Sequence, residues 1–134
     1  MINEGVYTLG TKALGAALAA QEQTPIEELD GMGAVTITAD FTYGSGTGTC
    51  RAVVRTKLGA DGQAIEIARF DFTEATARKV CTLNANAAKA IAAIVALSAE
   101  GVFDGVLGNV LDVVILSTGT YVNSTLSVSA AVRG

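Results

Sequence analysis

Val35, Ile37, Ala39 and Phe41 alternate with Thr36, Thr38 and Asp40, and Leu126, Val128, Ala130 and Val132 alternate with Ser127, Ser129, Ala131 and Arg133. A two-residue period puts every apolar member of such a run on one face of a strand. On a helix the same residues scatter around the axis and form no stripe. The chain therefore holds at least two strands, each with one buried and one solvated face.

Further strands are expected between these two. From Thr49 to Leu58, Cys50, Ala52, Val54 and Thr56 alternate with Arg51, Val53, Arg55 and Lys57. Gly59-Ala60-Asp61-Gly62 then supplies a hairpin turn, since Asp-Gly accepts positive φ. In Ala64 to Phe72 the apolar parity moves from Ile65 and Ile67 to Ala68, Phe70 and Phe72, which predicts a β-bulge near Ile67-Ala68. Arg78 to Leu83 and Leu111 to Leu116 complete the set; the latter is apolar on both faces and reads as central. Gly-containing turns recur at Asp30-Gly31, Tyr43 to Gly46, Asp104-Gly105, Leu107 to Asn109 and Gly119 to Tyr121, the spacing of a sandwich or barrel.

Two segments compete between states. Thr11 to Gln23 reads either as an Ala-rich helix or as an extended arm broken at Gly10 and Gly15. Ala87 to Ala99 has the alanine content of a helix, but Ile91, Ile94 and Val95 favour a strand that closes the sheet. The expected organisation is residues 1–30 as an N-terminal arm with a first strand or short helix, and 31–134 as one antiparallel, jelly-roll-like β-sandwich.

Composition narrows the function. At 134 residues the chain makes one core. With seven Phe and Tyr and no Trp, that core is built from Val, Ile, Leu and Ala. A net charge of −4 and scattered Lys and Arg argue against a nucleic-acid partner. The longest apolar stretch, near Ala90 to Leu97, falls short of the roughly 20 residues of a membrane helix, and the N-terminus lacks a basic leader. No membrane partner is expected.

There is no histidine, which removes the usual general base and the commonest metal ligand. The carboxylates, Asp71 and Asp112 among them, read as solvated charges. Glu27, Glu28 and Asp30 cluster without the spacing of a known cation loop. Tyr43 to Thr49 is glycine-rich, but no Lys-Ser/Thr pair follows, so it reads as a hairpin connection rather than a phosphate loop. No catalytic residue, metal site or cofactor is expected. Cys50 and Cys81 leave three outcomes open: reduced thiols, a bridge between neighbouring strands, or a bridge to another subunit. Arg51 beside Cys50, and Arg78 and Lys79 near Cys81, predict thiolate character.

The run Gly33 to Gly46, ending in Phe41-Thr-Tyr-Gly-Ser-Gly46, resembles a segment of small phage and prophage proteins. Arg69-Phe-Asp-Phe-Thr73, Ala77 to Val80, Asp104 to Gly108, Leu111-Asp-Val113, Thr118 to Tyr121 and Thr125 to Val128 fit the same pattern, which covers about residues 31 to 133. The resemblance implies a non-catalytic virion structural protein, a head decoration, neck or collar component assembled in the host cytoplasm. Its partners would be other virion proteins and copies of itself as a homo-oligomer. The chain departs from the pattern between Leu83 and Glu100, where an Ala/Ile-rich stretch replaces a polar loop. Ile91, Ile94, Val95 and Leu97 are therefore the expected subunit contacts. The alternative is a carbohydrate- or cell-surface-binding sandwich, for which Tyr7, Tyr43 and Tyr121 are the only plausible aromatic platforms.

Overall fold

The computed structural model describes residues 4–59, 62–86 and 88–134. Among these residues nine strands form: β1 (Gly5–Leu14), β2 (Leu18–Glu22), β3 (Ala34–Thr42), β4 (Ser45–Lys57), β5 (Ile65–Phe72), β6 (Ala77–Asn84), β7 (Gly101–Val102), β8 (Val110–Val122) and β9 (Ser124–Arg133). They build two antiparallel sheets, ordered β1-β9-β3-β6 and β2-β8-β4-β5-β7. The pairs β4·β5, β3·β6, β2·β8 and β1·β9 are nested about the β4–β5 turn. The chain is thus one long antiparallel ribbon, folded back on itself so that alternate pairs fall in opposite sheets. That winding is a jelly roll, with β7 added at one edge.

The alternating runs supply the inner faces. Val35, Ile37, Ala39 and Phe41 of β3 meet Leu126, Val128, Ala130 and Val132 of β9 inside one sheet, against Ala52, Val54, Ile67, Val113 and Ile115 of the other. The bulge expected in β5 is present: Val54 pairs Ala68 and Arg55 pairs Glu66, so Ile67 is the extra residue. Both Ile67 and Ala68 are buried. This is how the parity change keeps Ile65 and Phe70 on the core side together.

Three expectations change. Residues 5–22 take the extended alternative throughout, with a break near Gly15 and no helix. The arm is built into the sandwich: it supplies the first strand of each sheet, and Leu9 and Leu14 lie in the core. The glycine-rich stretch is not a loop, because Ser45 to Thr49 already belong to β4 and pair with Thr118 to Val122 of β8. There Gly48 (φ 152°) faces Gly119 (φ 71°), and a Cβ on Gly119 would sit 2.2 Å from the Thr47 carbonyl oxygen. Glycine is required for that approach. The turn falls later, at Asn123 (φ 51°), and the Gly119-Thr120-Tyr121 signal marks close strands rather than a corner. Finally, residues 88–99 form neither strand nor helix; Ala87 lies outside the described residues, as do Ala60 and Asp61.

Candidate assembly surface

The segment after β6 leaves the sandwich as a strap. Its near end is held by Ala85 N, which donates to Gly33 O (2.8 Å), and by Asn84 N, which donates to Asp104 Oδ1 (2.8 Å). Its far end is pinned to the outer face of the second sheet. Leu97 N donates to Glu66 Oε1 (2.9 Å), and Leu97 O accepts from Arg69 Nη1 (2.9 Å). Glu100 Oε2 then accepts from Asp71 N (2.8 Å) and Lys79 Nζ (2.7 Å). These bonds hold the Glu100 carboxyl below its ordinary range, although partial burial opposes them.

Between the pins the apolar side chains face water. Ile91 is fully exposed, Ile94 is 63 % exposed and Val95 70 %. Leu97 is half-buried beside Val53, Val114 and Leu116 in a groove of about 320 Å³ on the sheet's outer face. Of the four expected contact residues, three stand free and the fourth anchors the strap. The expected strand does not form: among the described residues the strap pairs with no other strand of the chain. The near-continuous alanine signals low side-chain cost in either state, so composition alone did not decide between them.

A second feature lies beside the strap. Among the described residues β6 pairs only with β3, and β7 is two residues long, so the roll is open where these two edges face each other. A cleft of about 340 Å³ fills the gap, lined by Phe70, Val80, Cys81 and Val102, with Lys79 and Glu100 at its margin.

The cysteines do not meet. Cys50 lies on β4 in one sheet and Cys81 on β6 in the other; both are free and not within disulfide distance. The expected thiolate character is also reversed. Burial pushes the Cys50 thiol up to about 12, with Asp71 adding to the rise. Burial likewise pushes Cys81 up to about 11, against a backbone hydrogen bond from Ile37 that lowers it. Arg51 and Arg78 lie on the opposite face of their strands from the thiols, and Lys79, on the same face as Cys81, gives its ammonium to Asp71 O and Glu100 Oε2 instead.

Tyr43 and Tyr121 do come together at one end, with ring centroids 6.2 Å apart, but as core. Tyr121 is 2 % exposed, packs edge-on to Phe41 and donates its hydroxyl to Thr73 O (2.7 Å). It offers no platform to a sugar. Asp112, read as solvated, is 5 % exposed and forms a fork with Arg55. Among the described residues no group of three or more Cys, Asp or Glu side chains has metal-binding geometry, and no helix is long and apolar enough to cross a membrane. No family model, curated protein or solved structure matches the chain.

Proposed function

We propose that the protein is a non-catalytic structural subunit of a bacteriophage particle, located in the virion as a head decoration, neck or collar component, and that it acts by packing against copies of itself and other virion proteins. The observation that carries the reading is the strap: a sandwich with a well-packed core of its own still holds Ile91, Ile94 and Val95 in water. Exposed apolar surface of this kind marks an interaction site. The jelly-roll winding supports it by analogy, because that architecture recurs in capsid domains, though also in lectins and cupins. The turn-and-strand likeness to phage proteins supports it from the sequence.

Quantitative mass spectrometry of particles purified from the source phage tests this reading. Copies near those of the major capsid protein make it a lattice decoration. A small ring's worth places it at the neck or collar. Its absence from particles refutes the proposal and returns the surface-binding module to consideration.

A further inference from the structure

We propose that residues 88–96 of one subunit add as an extra strand to the free edge of β6 in a second copy of this chain. The inference rests on the reading of the protein as an assembly subunit and names the partner of its strap.

The donor has the composition of a buried strand. Residues 90–96 carry no charge and no proline, and in an extended chain Ile91, Ala93 and Val95 fall on one face with Ala92, Ile94 and Ala96 on the other. A segment apolar on both faces suits a strand covered on both sides. The acceptor edge is open over part of its length. Asp104 Oδ1 already accepts from Asn84 N (2.8 Å) and Asn84 Oδ1 from Asn86 N (2.7 Å), whereas from Val80 to Leu83 the chain has neither the charges nor the proline that blunt an exposed edge, and Val80 is itself 66 % exposed. One face of an incoming strand would fill the Phe70–Val80–Cys81–Val102 cleft, and the other would cover the edge from outside.

Length and charge agree. The uncharged run at 90–96 spans about 23 Å when extended and the eight residues of β6 about 26 Å; the charges beside them are already partnered, Lys89 over the Phe103 ring, Arg78 and Lys79 with Asp40 and Glu100, and Asp104 with Asn84 N. A pair of such exchanges buries on the order of the 1,200 Å² at which specific interfaces begin. Within its own subunit the strap is held off β6, because Leu97 is pinned to Glu66 and Arg69 on the opposite sheet.

Cys81 makes the contact measurable. It lines the cleft, whereas Cys50 is sealed in the core. Single cysteines are placed in the full chain at Ile91, Ala92, Ala93, Ile94 and Val95, and ¹⁴N- and ¹⁵N-labelled copies are mixed and oxidised. The expected result is a disulfide joining strap and Cys81 between light and heavy chains, abolished by Cys81→Ser. In parallel, light scattering gives a species larger than a monomer, and Ile94→Asp returns it to a monomer with unchanged circular dichroism. Links confined to light–light and heavy–heavy pairs mean that the strap folds back on its own β6, and they overturn the exchange. A monomer with no Cys81-dependent link overturns it as well. Failure here is separable from failure of the virion reading: a chain abundant in particles but never cross-linked sinks the exchange alone. Exchange in solution by a chain absent from particles sinks the other alone.

Discussion

Removing the carboxylate of Asp112 tests whether the outer face of the second sheet is held by a buried ion pair. Arg55 and Asp112 sit directly opposite on β4 and β8. Arg55 donates from Nε to Oδ1 at 2.9 Å and from Nη2 to Oδ2 at 2.6 Å, a two-pronged pair whose side chains are only 16 % and 6 % exposed. The hydrogen bonds Arg55 donates to Asp112 drive its pKa further above the ordinary value, against a smaller opposing effect of burial. Asp112→Ala strands a guanidinium in a poorly solvated place, and losing one partner of such a pair costs about 3–5 kcal/mol. Glu22 moderates the loss: its carboxylate, 3.1 Å from Arg55 and 68 % exposed, stays available. The expected cost is therefore about 2–3 kcal/mol, or roughly 6–12 °C in Tm for a domain of this size.

The double variant Arg55→Met/Asp112→Leu removes both charges and fills the volume, so it should return to within about 1 kcal/mol of the parent. Urea unfolding with an unchanged m-value, read by far-ultraviolet circular dichroism, measures both. If Asp112→Ala costs less than about 0.5 kcal/mol, the range of ordinary surface substitutions, the pair is not buried in solution. If the double variant is as unstable as the single, the loss comes from packing rather than a stranded charge.

Gly119→Ala forces a Cβ to within 2.2 Å of the Thr47 carbonyl oxygen at positive φ and should cost about 2 kcal/mol or more, whereas Gly15→Ala, with nothing within 4 Å, should stay within about 0.5 kcal/mol; thermal unfolding of the pair checks the contrast. Cys50 has its folded pKa raised to about 12 from 9.0, so its contribution to stability is full below pH 9 and is lost as pH rises from 9 towards 12. Urea midpoints over that window should fall less steeply in Cys50→Ala than in the parent; equal slopes would refute the assignment. Tyr121→Phe deletes the hydroxyl bond to Thr73 O and should cost about 1 kcal/mol in the same unfolding assay.

Strand positions were legible where one face is buried and the other wet. Residues 35–41 and 126–132 appear in β3 and β9, each extended by one or two residues at its ends. Even the bulge could be read, because a parity slip along an otherwise periodic run has few other causes. Glycine was harder, since the same residue marks a turn and a place where two backbones nearly touch. Gly46 and Gly48 belong to the second kind, and the partners that distinguish them, Tyr121 and Gly119, lie some seventy residues away. Asp112 misled for a related reason. Its burial depends on Arg55 across the ladder, and nothing local to Leu111-Asp112-Val113 announces that partner. Ile91, Ile94 and Val95 stood out in the sequence as an apolar excess without an assigned place, but their exposed, unpaired state follows from hydrogen bonds made by Leu97 and Glu100, which no periodicity encodes.

The distribution of exposed apolar surface argues for one assembly side. The outer face of the first sheet is mostly small and polar, with Thr8, Ser129 and Thr38 aligned across β1, β9 and β3. Ion pairs cover much of the outer face of the second, through Arg55–Asp112 and Arg69–Asp71. Val6, Leu58 and Val122 are exposed, but singly exposed apolar residues are ordinary. Val80 and Val102 are different, because both line the cleft that the strap adjoins. Strap and edge are distinct surfaces of the chain, so the pairing proposed above would be head-to-tail unless two copies exchange straps reciprocally. Reciprocal exchange closes at a dimer; head-to-tail exchange closes only as a ring, or grows into a filament. The mass measured by light scattering for the parent chain selects among these, and a closed ring is the outcome that the neck or collar assignment requires.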